Sequence, residues 1–169
     1  MTEYPFTSRQ LRDGFSRFAT GVTIVTASGA HGEPVGMTAS SFNTVSLEPP
    51  LILWCPSKSA LSGPAFRDAP YFAVHVLAAD QGPLSSRFAT KGTDKFEGLE
   101  NWRQDEHGVP HLQDCMVRFD CRQWAAHEGG DHWIVVGEVM AIAEGAKGMG
   151  GEGLVFRQGR YAHAVDLDG

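Results

Sequence analysis

Short runs of β-branched and aromatic residues, separated by turn-forming clusters, recur along this chain and limit its fold more than any other feature. Val22 to Ala27 reads VTIVTA, Leu51 to Cys55 reads LILWC between prolines, and Tyr71 to Leu77 reads YFAVHVL. Such residues suit a pleated, half-buried surface. Cys115 to Trp124 alternates, with Cys115, Val117, Phe119 and Cys121 facing one way and Arg118, Asp120 and Arg122 the other, which is the period of a strand. Trp133 to Ala143 is a long strand-like run, Pro34 to Ser41 reads as the return from a turn at Ser28 to Gly32, and Leu154 to Phe156 and Tyr161 to Val165 read as the last two strands. Helical patterns are few. Thr7 and Gln10 have capping-box spacing ahead of Leu11, Phe15 and Phe18, and Gly21 stops that helix. A short helix is expected between Ser59 and Arg67, with Pro64 suited to its first turn, and another after Asp80, carrying Leu84 and Phe88. Residues 91 to 114 read as a polar loop anchored by Trp102. A parallel sheet needs a helix between most successive strands. The expected class is therefore mainly β: an antiparallel barrel with a few peripheral helices. The length of 169 residues suits one domain, 1–169.

Charge narrows the function classes. Lys and Arg number 14 against 20 Asp and Glu, a formal net charge of -6. Without a basic stripe, no nucleic acid is expected as a partner, although a local basic pocket for one small anion stays open. No apolar run approaches the ~20 residues of a membrane helix, so no membrane partner is expected. Met1 to Pro5 has neither a basic segment nor an apolar signal core, and a cytoplasmic location is expected. Cys115 and Cys121, six residues apart on one strand, would lie about 20 Å apart, too far for a disulfide. That fits a reducing compartment.

Several motifs are weighed for chemistry. Gly148 to Gly153 matches G-x-G-x-x-G by letter, but a strand rather than a helix is expected to follow it, so it reads as a flexible turn. His107 and His111 are separated by Gly and Pro, no cysteine pair has zinc spacing, and no metal is expected. Gly36-Met37-Thr38-Ala39-Ser40-Ser41-Phe42 has two readings: a polar strand end, or a surface of small side chains whose main-chain N–H and C=O groups a flat ligand approaches closely. Ser57-Lys58-Ser59 is either an ordinary N-cap beside a lysine or a hydroxyl-rich anion site leading into a helix. Gly129-Gly130-Asp131-His132 is either a turn with a bystander histidine or a rim histidine able to bond a substrate or move a proton near neutral pH.

Taken in order, Phe18 to Thr26 (FATGVTIVT), Gly36 to Phe42, Val45 to Leu51 (VSLEPPL), Phe88-Ala89, Gly130-Asp131-His132 and Gly137-Glu138-Val139 resemble the short-chain flavin reductase family, the reductase components of two-component flavin-dependent monooxygenases. The resemblance runs from about Phe15 to Val165. It implies an FMN-binding split barrel, normally a homodimer, that reduces FMN or FAD with NADH or NADPH and supplies reduced flavin to an oxygenase component. By match, Met37, Thr38, Ala39, Ser40, Ser41 and Phe42 would line the flavin ring. Trp54, Cys55, Ser59 and Ala60 would lie along its tail and phosphate, and Phe88 and Ala89 would close over it. His132 matches the family histidine near the nicotinamide, and Arg160 and Tyr161 match a segment of the nicotinamide nucleotide site. Local positive charge would come from Lys58, Arg87 or Arg160. Two alternatives stand beside this: an FMN-dependent oxidase on a related barrel, and a non-catalytic flavin carrier or sensor.

Overall fold

The computed structural model describes residues 4–165; the expectation drawn from Met1 to Glu3 lies outside them. After helix α1 (Ser8–Phe15) come strands β1 (Thr20–Gly21), β2 (Thr23–Ser28), β3 (Pro34–Ala39), β4 (Asn43–Leu47) and β5 (Pro50–Trp54), then helix α2 (Gly63–Asp68) and strand β6 (Tyr71–Val76). A single 3-10 turn, Ala79–Gln81, leads into helix α3 (Gly82–Ala89). Strands β7 (Trp102–Gln104), β8 (Pro110–Leu112), β9 (Val117–Gly129), β10 (His132–Glu144), β11 (Leu154–Arg157) and β12 (Arg160–His163) complete the chain. The mainly β, antiparallel expectation holds.

Seven strands form the main sheet in the order β3-β2-β6-β9-β10-β5-β4, every pair antiparallel. Its two edge strands, β3 and β4, are consecutive in the chain and joined only by Ser40 to Phe42. From Ala39 to Asn43 the chain reaches at most about 14 Å, so the sheet must curl until its first and last strands meet. The two edges do not pair with each other, which leaves a barrel split along that seam. Ser41 ties the seam: its Oγ accepts the Cys55 N–H at 2.9 Å. Phe42 covers it, stacked on Phe119 with centroids 6.0 Å apart.

β2 is buried on both faces, which explains its unbroken apolar run. Val25 and Ala27 point into the barrel core with Trp54, Phe66, Phe72 and Val135. Ile24 points into a second core with Leu77, Phe88, Phe96, Leu112 and Leu154. α3 lies on that second side. Its Phe88 sits over Gly36, where a Cβ would come within 2.4 Å of the ring.

Three expectations need correction. Asp80 caps nothing, since its carboxylate engages Lys147; instead Gln81 Oε1 accepts the Ala78 N–H at 2.8 Å. Residues 91 to 114 contain the β7–β8 hairpin, although Trp102 does anchor them, packed 4.7 Å from Phe96. The α1 capping box forms as read, but the helix ends at Phe15 with Ser16 as its C-cap, so Gly21 does not stop it and lies in β1 instead; none of the helix is buried, and Phe15 and Phe18 are 68% and 78% exposed.

His75 on β6 joins the two cores. It is fully buried; its Nδ1–H donates to Ile24 O at 3.0 Å, and its Nε2 accepts the Leu112 N–H at 3.0 Å. Both ring nitrogens are used by the neutral form, and burial pushes its pKa from 6.5 down to about 3. Below pH 6.5 the unfolded chain takes up a proton that the folded chain refuses, so stability falls with pH by up to about 1.4 kcal/mol per unit until about pH 3. Urea midpoints are expected to drop between pH 7 and pH 5, and to drop less in His75→Gln. Equal drops in the two proteins would remove His75 as the cause.

Candidate functional site

The hydrogen-bond phase of β3 decides what its edge offers. In an antiparallel ladder, bonded and non-bonded pairs alternate. The Gly29 N–H donates to Glu33 O at 2.7 Å, so the bonded pairs along the register are Ala27 with Val35, Val25 with Met37, and Thr23 with Ala39. The other side of β2 agrees: the Leu77 N–H donates to Val22 O, which assigns Val22, Ile24 and Thr26 to β6. Gly36 and Thr38 therefore turn their N–H and C=O groups away from the sheet. Lys95 Nζ donates to Gly36 O at 2.9 Å, as this phase requires. Among the described residues, neither the Gly36 N–H nor the Thr38 N–H has a partner.

This edge forms one wall of a cleft of about 630 Å³. Opposite stands the turn holding Ser57, Ala60, Leu61 and Ser62, and the roof is the end of α3 with the segment Thr90 to Phe96. The turn is fixed to the start of β10. Ser57 pairs with His132, the Lys58 N–H donates to Asp131 O at 3.0 Å, and the Trp133 N–H donates to Pro56 O at 2.9 Å. Gly63 closes the turn, because a Cβ there would meet Ser57 O at 2.6 Å. On the roof, half-buried Lys95 donates to Phe88 O at 2.7 Å as well as to Gly36 O; burial lowers its pKa. Lys91, also in the lining, is exposed. The cleft thus joins strand-edge amides, hydroxyls, two ammonium groups and two carboxylates, Glu33 and Asp94, which accept the backbone N–H groups of His31 and of Phe96 and Glu97.

Met37, Thr38, Ala60, Phe88 and Ala89 all line it. Phe88 does so as a wholly buried residue behind the cleft surface, its ring edge-on against Phe96 at 5.2 Å. The Thr38 hydroxyl donates to Ser85 O at 2.6 Å, so its oxygen is left to accept. Ala39 faces the barrel core, Ser40 is exposed at a different cavity, and Ser41 and Phe42 close the seam. Trp54 is wholly buried, edge-on to Phe66 at 4.9 Å, so its side chain belongs to the core. Cys55 contributes its N–H to Ser41. Burial raises its thiol pKa and that of Cys115, and pushes that of Cys121 up to about 12, which leaves no activated thiolate.

Ser59 stands outside the lining with its hydroxyl 3.0 Å from Ser57 Oγ. α2 starts only at Gly63, so the Ser57-Lys58-Ser59 triplet is not its cap. The Lys58 ammonium is engaged by Glu128 and lies 4.4 Å over the Trp133 ring. Arg87 is likewise committed, to Lys95 O at 2.7 Å and to Glu97 O.

His132 is half-buried at the start of β10, beside Ser57, with Nδ1 2.7 Å from Asp131 Oδ1. That contact also lowers the Asp131 pKa. Tyr161 sits on the far side of α3, its hydroxyl 2.9 Å from Ser85 Oγ, so it connects to Thr38 through Ser85. Arg160 is exposed beside it. Of the Ser57-Lys58-Ser59 triplet read as an anion site, Ser57 lines the cleft; the cleft residues missed from sequence are Glu33, Pro34, Val35, Leu61, Ser62 and the 90–96 segment. Two lysines within five residues after α3, in an acidic chain, were the available signal for that segment. Among the described residues no cluster suited to a metal ion is found.

Residues 15–164 match the family described as "Flavin reductase like domain", and the chain belongs to that family. It is 47% identical over 154 residues to the FMN reductase (NADH) SmoA of Agrobacterium fabrum, spanning 91% of this chain and 84% of that one. It is 40% identical over 136 residues to HsaB, the reductase subunit of a flavin-dependent monooxygenase of Rhodococcus jostii, spanning 80% and 69%. The structure of the NADH:FAD oxidoreductase SgcE6 of Streptomyces globisporus, in complex with NAD and FAD fragments, superposes with a TM-score of 0.87 at 38% identity and 99% coverage of both chains.

Gly36 has the tightest contact on the cleft wall. Gly36→Ala is expected to push Phe88 and α3 off the strand and cost about 1–3 kcal/mol, the usual range for overpacking. Urea denaturation checks this, and an unchanged midpoint would show that Phe88 moves aside freely.

Proposed function

We propose that the chain, acting as a single domain, is an NAD(P)H:flavin oxidoreductase that reduces FMN or FAD and supplies reduced flavin to an oxygenase component, with the flavin in the cleft beside β3. The observation that carries this is the free edge of β3: the Gly36 and Thr38 N–H groups face a cleft whose lining also holds hydroxyls, two lysines and two carboxylates already engaged by backbone N–H groups. The fit is good. A volume of about 630 Å³ suits an organic cofactor. A planar ring with a polar edge matches in-plane strand amides, and a phosphate matches Ser57, Ser62, Lys91 and Lys95.

The chemistry supplied by the cofactors is hydride transfer from nicotinamide to flavin. The chain's own groups orient and stabilise. The Gly36 and Thr38 N–H groups offer preorganised donors where negative charge grows on reduction. The Thr38 hydroxyl, its proton given to Ser85, accepts a bond from a ring N–H. Lys91 and Lys95 offset the phosphate charge. His132, steadied by Asp131, orients the nicotinamide at the rim. Tyr161 steadies α3 and Thr38 through Ser85, with Arg160 adding charge for the nucleotide.

A homodimer belongs to this proposal. It is supported by large apolar side chains on the barrel exterior, among them Leu47, Trp124, Met140 and Ile142, which a second copy would cover. A cytoplasmic location belongs to it as well, supported by three free cysteines.

Purified protein is expected to oxidise NADH or NADPH, followed at 340 nm, only when FMN or FAD is added; no oxidation in any of the four pairings would end the assignment. His132→Ala is expected to raise the nicotinamide KM or slow flavin reduction by about tenfold, the worth of one strong hydrogen bond, with flavin affinity retained. Ser57→Asp is expected to weaken flavin binding about tenfold or more by like-charge repulsion, and Ser59→Asp much less. Fluorescence titration checks the pair, and the reverse order would place the phosphate elsewhere.

A further inference from the structure

The β7–β8 hairpin is laid against β2, β6 and β9, and histidines make most of its polar fastenings. The Leu112 N–H donates to Nε2 of the fully buried His75 at 3.0 Å. His111 is 7% exposed. Its Nε2 lies 3.3 Å from Asp105 Oδ2 at the hairpin turn and 3.3 Å from Asp120 Oδ1 on β9, with no hydrogen bond to either. His107, at the turn beside Glu106, stacks on Tyr71 of β6 with ring centroids 3.8 Å apart. Thr26 Oγ1 adds a bond to Pro110 O at 2.5 Å. We propose that this hairpin is an acid-released strap: it backs the roof of the cleft while His75 and His111 are neutral, and it lifts when they take up protons. The strap itself stands on the fold; its link to a flavin rests on the reductase reading.

The charges around His111 already balance. Asp105 and Asp120 supply two carboxylates. Arg118 on β9 forks Asp120, Nε to Oδ1 at 2.7 Å and Nη2 to Oδ2 at 3.2 Å, and Arg103 on β7 stands opposite His111 in the hairpin pairing. An imidazolium would add an uncompensated positive charge in a place closed to water, which is costly. Burial, then Arg118 and Arg103, hold the His111 pKa below its ordinary value against the pull of Asp120 and Asp105.

His75 is constrained more sharply. Arg118, Asp120 and His111 face it. Its Nδ1–H is given to Ile24 O, so Nε2 holds Leu112 as an acceptor. A proton on Nε2 would point one donor at another and break a hairpin bond directly.

The strap reaches the cleft through rings. Trp102 pairs with Leu112 across the hairpin and packs 4.7 Å from Phe96, which meets Phe88 edge-on at 5.2 Å. Phe96 and Lys95 belong to the roof segment. Lifting the hairpin withdraws Trp102 and Leu112 from that core, and the roof loses its backing. By reciprocity, a flavin held under the roof holds the strap down.

Hydrogen exchange of the full-length protein, corrected for the intrinsic pH dependence of exchange, tests this. Residues 102–112 are expected to be at least tenfold less protected than β9 and β10, because the strap opens by itself. Equal protection would show that it opens only with the whole domain and would overturn the proposal. A histidine that ionises only in the open form favours opening by up to about tenfold one pH unit below 6.5. Hairpin protection is therefore expected to fall by more than tenfold, up to about a hundredfold, from pH 7.5 to pH 5.5. His111→Gln and His75→Gln are each expected to shrink that fall severalfold. No fall in wild-type protein, or an undiminished fall in both variants, would overturn the proposal. Ring NMR of wild-type protein decides the case if the variants do not fold: both rings are expected to stay mainly neutral at pH 6, and charged rings under an intact hairpin would refute the device. FMN at about ten times its Kd, at pH 7.5, is expected to raise hairpin protection about tenfold. FMN that binds without this effect would sever the strap from the cleft and overturn that part. FMN that does not bind would sink the reductase reading, while the pH series still decides the strap.

Discussion

Three residues, Ser40 to Phe42, join the two edges of the seven-stranded sheet, and the candidate site depends on that short connection. A longer link would let the sheet stay open, with β3 and β4 on opposite sides of the molecule. At this length the sheet curls into a barrel, yet β3 and β4 stay unpaired with each other. An unpaired strand edge is ordinarily a liability that proteins cover. Here α3 and the segment behind it cover it partly, leaving the amides of Gly36 and Thr38 toward a cleft.

That partial cover is held by unlike contacts. On one side the Phe88 ring rests on Gly36, where only a hydrogen fits. On the other, the Lys95 ammonium clips Gly36 O to Phe88 O. The strand, helix and roof segment are thus fixed by one ring and one ammonium. Thr38 adds a third link, since its hydroxyl proton goes to Ser85 on α3. Rigid donors cost little reorganisation when charge changes beside them, and electrostatic stabilisation depends on that rigidity.

Much of this was legible in the sequence, and the failures have physical reasons. Strands with strong periodicity, such as β2, β6 and β9, were found because burial writes apolar residues into them. β4 was missed because Asn43, Thr44 and Ser46 mix with exposed Val45 and Leu47, so no face is consistently apolar. The resemblance directed attention to Met37 to Phe42, but a linear motif does not say which residues turn their amides outward. Only the phase of the β2–β3 ladder separates Gly36 and Thr38 from Met37 and Ala39. Trp54 was expected along the flavin's tail and Phe88 closing over the flavin, whereas a large aromatic next to a site is also the residue best able to fill the core behind it, and both rings are buried. The cations were misjudged for a related reason: Lys58 and Arg87 look free in sequence, yet Glu128 and backbone carbonyls hold them in the fold.

The central claim is that alternate amides of β3, those of Gly36 and Thr38, are the ones a flavin meets. Amide-resolved NMR during an FMN titration tests it most directly. The account predicts large, saturable shifts for Gly36 and Thr38, with Val35, Met37 and Ala39, bonded into the sheet, moving far less. Uniform shifts along the strand, or shifts confined to another part of the molecule, would contradict it.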